Sequence, residues 1–277
     1  MNGSGREMSE RITRGLEKKV AIVTGAGSRA EGIGNGRAAA ILLASEGARV
    51  LLVDANPAWA ERTREMIAAE GGDALVHKAD VTKPEECQAA VAAAKAKWGR
   101  VDILVNNVGI GGAKGNAVEV DLAEWNHGLL VNVTSMMLMA KYAIPAMIDG
   151  GEGGAIVNIA SVAGLRGGNP NLMYTTSKGA VVQMTRAMAV HHAAQKIRVN
   201  CVCPGMVYTP MMYADGMSEA MREARRNRSL LKTEGSGWDI GAAVLWLASG
   251  HARWVTGVIL PIDAGATAAT LLNEPRN

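Results

Sequence analysis

The chain has 277 residues, of which 48% are hydrophobic and 20% charged, and its formal net charge is +3. That is enough apolar material for one large core, and a weak positive charge spread along the chain argues against a nucleic-acid partner. No apolar run near the roughly 18 residues of a membrane span is evident, so no membrane partner is expected.

Residues 1–18 are polar and lack the apolar core of a signal peptide, so a flexible N-terminal extension is expected ahead of a single domain, 19–277. Strand-length apolar runs then alternate with alanine-rich stretches of helical period. Val20–Thr24 reads as a strand, followed by a glycine-rich loop, a helix over Asn35–Glu46 and a strand over Arg49–Val53. Pro57–Glu70 reads as a helix, Ala74–His77 as a strand and Pro84–Trp98 as a helix, both helices opening on the proline that suits a first turn. Ile103–Val105 is the next strand, then come a helix over Ala123–Ile148, a strand over Ala155–Ile159 and a helix over Leu172–Ala194. The strand Arg198–Val202, the helix Trp238–Ser249 and the strand Val258–Pro261 complete the order. Near-continuous apolar strands alternating with helices predict a Rossmann-type, doubly wound parallel β-sheet with helices on both faces.

Some residue types exclude rather than assign. Cys87, Cys201 and Cys203 have neither metal spacing nor an even count, and read as buried thiols in a reducing, cytoplasmic compartment. His77, His127, His191, His192 and His251 fall in no ligand spacing with a carboxylate cluster, so no metal is assigned. The basic stretch Arg222–Arg228 is interrupted by Glu223 and reads as a solvated helix face.

The stretch "VTGAGSRAEGIG", Val23–Gly34, lies at the first strand-to-helix turn. Glycines there let the backbone turn tightly and approach a pyrophosphate, while the following helix offers free N–H groups and its positive dipole end. Asp54 ends the second strand about 20 residues later, where a carboxylate can accept from the adenosine ribose hydroxyls.

Thr24-Gly25, Gly32-Ile33-Gly34, "NNVG" at Asn106–Gly109, Ser161, "YTTSK" at Tyr174–Lys178 and Pro204-Gly205 together resemble the short-chain dehydrogenase/reductase family, over about Lys19–Ala266. One departure stands out: Gly25 and Gly32 are seven apart where the family pattern has four, so "SRAE" reads as a bulge in the loop. The resemblance implies that Gly25, Gly32, Ile33, Gly34, Asp54 and Gly109 hold the dinucleotide. It implies that Asp80 and Val81 meet the adenine, that Asn107 stabilises the central sheet, and that Pro204, Gly205, Val207 and Thr209 lie along the nicotinamide end.

Tyr174 and Lys178 are four apart, hence neighbours on one helix face, and Ser161 sits at a strand end, where open α/β sheets bind ligands. Oxidising an alcohol requires a base, and a tyrosine with its ordinary pKa near 10 needs an adjacent ammonium to favour the phenolate. By resemblance, Lys178 also grips the nicotinamide ribose, Ser161 hydrogen-bonds the substrate oxygen, and Asn132 holds a water of the proton relay.

The expected activity is NAD-dependent interconversion of a secondary alcohol and a ketone, with Asp54 disfavouring the 2′-phosphate of NADP and Arg29 as the one feature against that preference. A lid over Met206–Leu231, with Met211 and Met212, would face Gly109, Gly111, Gly112, Ala163 and Gly164, small residues that would leave room for a ring. An apolar or alicyclic substrate follows, with Arg166 keeping an anionic one open. Two alternatives stay open: an NADP-dependent 3-oxoacyl-thioester reductase, and a dinucleotide-sensing protein without catalysis. The resemblance further implies a homotetramer.

Overall fold

The structure is a computed structural model that describes residues 12–269. Its strands are β1 (Val20–Thr24), β2 (Arg49–Asp54), β3 (Ala74–Lys78), β4 (Ile103–Asn106), β5 (Gly154–Ile159), β6 (Ile197–Pro204) and β7 (Ile259–Ile262). They pair in parallel in one seven-stranded sheet of order β3-β2-β1-β4-β5-β6-β7. The expected doubly wound fold is the one found.

Alternation along the strands divides the core in two. Ala21 and Val23 of β1, with Val50 and Leu52 of β2, pack beneath α1 (Asn35–Ser45) and α9 (Gly237–Ala248). Val20 and Ile22, with Leu51 and Val53, pack on the other face beneath α3 (Pro84–Trp98) and α5 (Ser135–Asp149). Both faces are covered, which is why these strands are apolar at every position rather than every second one.

α2 (Pro57–Ala69) is capped by Asn56, whose side chain accepts from the Ala58 N–H. The expected helix Ala123–Ile148 is found as α4 (Leu122–Leu129), a π turn (Leu130–Thr134) and α5. As one continuous piece, Leu122–Asp149, it is long and apolar enough by length and composition to cross a membrane, a length that the sequence reading passed over. More than half of its most apolar stretch is buried inside the fold, where its alanines and methionines cover the sheet. α6 (Leu172–His191) stops short of Ala194, and the lid carries two short helices, α7 (Pro210–Tyr213) and α8 (Glu219–Arg226).

Of the expected N-terminal extension, residues 1–11 lie outside the described residues, and the rest is joined to the fold. Leu16 is buried in the core, the Gly250 N–H donates to the Arg14 carbonyl and the Lys18 N–H to the Gly47 carbonyl. The three cysteines are free and buried.

Chain connections reverse direction between β1 and β4, its sheet neighbour, so the carboxyl ends of these two strands flank a crevice. Open α/β sheets bind their ligands at such a switch point.

Candidate active site

The glycine loop leaves β1 at Gly25, whose φ of +61° is the left-handed region that favours glycine. Asn107, just past β4, binds it down: its amide donates to the Gly25 carbonyl (2.9 Å), and its own N–H donates to Thr24 Oγ1 (3.1 Å). Asn107 thereby links the residue after β4 to the end of β1.

Gly34 is the N-cap of α1 and has no side chain to close the helix end. Gly36 in the first turn lies against the loop so closely that a side-chain carbon there would stand 2.2 Å from the Gly25 carbonyl oxygen. The turn into α1 is therefore built on Gly34-Asn35-Gly36, and Gly36 is a position the sequence reading missed although its Gly-x-Gly spacing was visible. Gly32 and Ile33 lie in the loop just ahead of this N-cap. Gly32, at φ +111°, faces the lid, where a side-chain carbon would stand 2.0 Å from Tyr213 Oη.

A buried arginine that the sequence reading also passed over braces this loop from below. Arg37 donates to the Gly32 carbonyl (2.6 Å), the Trp59 carbonyl (3.2 Å) and Thr63 Oγ1 (3.0 Å), and Thr63 in turn donates to the Ala26 carbonyl (2.8 Å). Asp54, at the end of β2, accepts from the Gly27 N–H and the Asn56 N–H, each at 2.9 Å. Burial pushes its carboxyl upward, and these two donors with Arg37 act the other way. Asp80 is half-buried at the end of the β3 loop, its carboxylate accepting from Thr82, and Val81 beside it is buried.

At the carboxyl end of β5 the catalytic candidates converge. Ser161 caps a short turn, Val162–Gly164, its Oγ accepting from the Ala163 N–H (3.1 Å). Burial raises the Tyr174 phenol, opposed by a hydrogen bond with Ser161. Lys178 is buried, its Nζ 5.7 Å from the Tyr174 ring centroid and donating to the Ile159 carbonyl at 3.2 Å. Desolvation brings its pKa down to about 8, against the pull of Cys201 and Cys203. At pH 7 the lysine therefore still carries its charge, beside a phenol whose pKa burial raises.

Asn132 lies in the π turn, fully buried, with its side chain wholly engaged. Its Oδ1 accepts from the Ile110 N–H (2.7 Å), while Nδ2 donates to the Ile110 carbonyl (2.9 Å) and Ser177 Oγ (3.0 Å). An inserted π turn commonly marks a functional site, and no local sequence signal announced this one. Behind it, Asn158 of β5 accepts from Asn106 (2.9 Å) and donates to Thr185 of α6 (3.0 Å), a buried brace that the sequence reading left out.

On the substrate side the small residues need correcting. Gly111 is open, with nothing within 4 Å of a side-chain carbon placed there. Gly109 and Gly164 are small because Lys178 packs on them, its Nζ or backbone standing 3.0 and 2.5 Å from such a carbon. Gly112 is small because Met173 fills its space, 1.8 Å away on the same measure. Ala163 is half-buried beside Ser161. Arg166, the candidate anion holder, is engaged with the Ala266 carbonyl.

Pro204 closes β6, and Gly205 follows it so close to Asp263 that a side-chain carbon would stand 2.5 Å from Asp263 Cβ. Val207 bridges to Gly235, and the buried Thr209 immediately precedes α7 without a capping hydrogen bond from its side chain. Met211 and Met212 in α7 are 58% and 36% exposed, which leaves their side chains available to whatever the lid covers.

With this geometry in view, comparison with known proteins is specific. A family model described as enoyl-(acyl carrier protein) reductase matches residues 27–267. The 2-(S)-hydroxypropyl-CoM dehydrogenase 3 of Xanthobacter autotrophicus is 38% identical over 257 residues, 91% of this chain and 98% of that protein. The cyclohexanol dehydrogenase of an Acinetobacter strain is 33% identical over 260 residues, covering 94% and 99%. The crystal structure of carveol dehydrogenase from Mycobacterium avium, in complex with NAD, superposes with a TM-score of 0.85 at 29% identity, covering 93% of this chain and all of that one. The chain belongs to the short-chain dehydrogenase/reductase family, and it is an oxidoreductase acting on CH–OH groups.

Proposed function

We propose that this enzyme interconverts a secondary alcohol and a ketone with NAD as the hydride carrier, on an apolar or alicyclic substrate. The observation that carries the reading is the convergence of Ser161, Tyr174 and Lys178 at the carboxyl end of β5, beside the glycine loop. The residues present suit the dinucleotide: α1 has an uncapped N-terminus, Gly25 and Gly36 leave the backbone bare, and Asp54 ends β2 where a ribose would lie.

In the oxidative direction Ser161 holds the substrate oxygen and Tyr174, ionised, takes the hydroxyl proton. The nicotinamide, when bound, supplies the hydride acceptor. In the reductive direction the phenol, kept protonated by burial, gives its proton to the carbonyl oxygen. Lys178 holds its charge next to the phenol, and Asn132 fixes the Ile110 loop beneath it.

NAD over NADP follows from Asp54, since two anions at close range repel and the ribose diol would lose its acceptor. Arg29, the feature that could have favoured the phosphate, is paired with Asp215. The substrate class is supported by the exposed Met211 and Met212 and by the open side at Gly111. Three buried, free cysteines support a cytoplasmic setting. Exposed Leu122, Leu130, Met137, Leu172 and Val190 on α4 to α6 support the homotetramer, for which light scattering is the test.

The decisive assay offers a panel of secondary alcohols and ketones with each cofactor and follows the reduced-nicotinamide absorbance. A kcat/KM that is comparable with NAD and NADP would overturn the preference. A clear preference for 3-oxoacyl thioesters with NADP would install the alternative reductase in its place, and no turnover at all, with binding retained, the dinucleotide sensor.

A further inference from the structure

The lengthened part of the glycine loop does not hang free. Ser28 donates to the Ala30 carbonyl (2.8 Å) and shapes it. Arg29 then reaches across to the lid, donating to the Met211 carbonyl (3.2 Å) and pairing with Asp215 (2.7 Å). Tyr213, the last residue of α7, donates its hydroxyl to the Glu31 carbonyl (2.8 Å) and fills the space that glycine leaves at Gly32.

These contacts continue through the rest of the lid. The Tyr213 ring lies 4.6 Å from the Tyr208 ring, Arg222 of α8 stands 4.0 Å over Tyr208, and Arg222 pairs with Glu234 at 2.6 Å. The two ends of the lid are tied down, Tyr208 N–H donating to the Gly235 carbonyl (2.7 Å) and Leu230 N–H to the Ala264 carbonyl (3.0 Å), but its helices bury little. α8 has no buried residue, and in α7 only Pro210 is buried. A segment with so few apolar contacts opens easily unless polar and aromatic contacts pin it.

We propose that residues 29–32 are a latch: Arg29, the bare face of Gly32 and the Glu31 carbonyl grip α7 through Asp215 and Tyr213. They are positioning residues, which set Met211, Met212 and Thr209 over the site without touching the reacting atoms. The glycine loop and the lid then close as one unit, so filling the dinucleotide site steadies the substrate side. The last step rests on the proposed dinucleotide reading; the grip itself does not.

The test is limited trypsin digestion of the ligand-free protein, because cleavage at Arg222, Arg225, Arg228 and Lys232 tracks the open population when opening is fast. Tyr213→Ala removes a hydrogen bond and an aromatic pair, and lid cleavage is expected to rise about tenfold. Asp215→Asn breaks only an exposed ion pair, and a rise of about 1.4- to 5-fold is expected with the melting temperature unchanged. The reversed pair Arg29→Asp with Asp215→Arg restores the ion pair but not the bond to the Met211 carbonyl, and is expected to bring cleavage below that of Asp215→Asn and towards the parent rate, which a general loosening would not do. In turnover, both single variants raise KM for substrate more than they lower kcat. Parent-like lid cleavage in both single variants overturns the latch, and so does failure of the reversed pair to bring cleavage below that of Asp215→Asn. Faster lid cleavage in the variants, in a parent that responds to neither NAD nor NADP, supports the latch and refutes the dinucleotide reading instead.

Discussion

Lys178→Met is expected to make the protein more stable at neutral pH while destroying its activity. Burial lowers the lysine from its ordinary 10.5 to about 8, so holding it charged in the fold at pH 7 costs about 3 kcal/mol relative to the unfolded chain. Methionine keeps the length of the apolar stem without the charge, and forfeits the hydrogen bond to the Ile159 carbonyl, about 1 kcal/mol. A net gain of about 2 kcal/mol corresponds to a melting temperature about 4 °C higher. The sign with pH follows from the lowered folded value. Below about pH 8 the lysine is charged in both states and the cost is constant; between about 8 and 10.5 the folded state sheds its proton first, so the parent gains relative to the variant. The advantage of the methionine is therefore full at pH 7 and gone near pH 10.5. Thermal unfolding of both ligand-free proteins at pH 7, 9 and 10.5 measures it. A variant that melts below the parent at pH 7, or keeps its advantage at pH 10.5, would refute the account of Lys178 as a buried charge held for catalysis.

Tyr174→Phe keeps the ring and removes the proton-carrying oxygen, so turnover should fall by about 10²- to 10⁴-fold with cofactor binding, followed by fluorescence titration, nearly unchanged. Activity within tenfold of the parent would reject the assignment. Gly36→Ala sets a carbon 2.2 Å from the Gly25 carbonyl oxygen and should weaken dinucleotide binding by at least about tenfold in the same titration. The matching change at Gly167, where nothing lies within 4 Å and φ is not left-handed, should leave binding alone. Met211→Lys with Met212→Lys should lower kcat/KM for the best hydrophobic substrate by about tenfold or more, and an unchanged value would remove the main support for an apolar pocket.

Each strand could be read from the chain because its information is local. A strand covered on both faces must be largely apolar, and the inner runs Val20–Thr24, Arg49–Asp54 and Ile103–Asn106 carry that pattern, while the outermost, Ala74–Lys78 and Ile259–Ile262, are only partly buried. The pair proposed for catalysis was legible for the same kind of reason: a spacing of four places Tyr174 and Lys178 on one helix face wherever that helix goes. Asp54 was legible from its place at the end of a strand. Residues whose meaning depends on a distant partner were not. Gly32 and Gly36 are both glycines beside the same turn, yet one is bare because Tyr213 stands against it and the other because the Gly25 carbonyl does. Gly109, Gly112 and Gly164 looked like room for a ligand, and their space belongs to Lys178 and Met173. Arg29 looked like a phosphate ligand until Asp215, 186 positions on, was found beside it. The chain by itself determines which stretches turn, coil and carry chemistry, since propensity and periodicity belong to neighbouring residues. What stands against a loop, fills a gap or claims a charge is decided only when the sheet closes and brings remote segments within bonding distance.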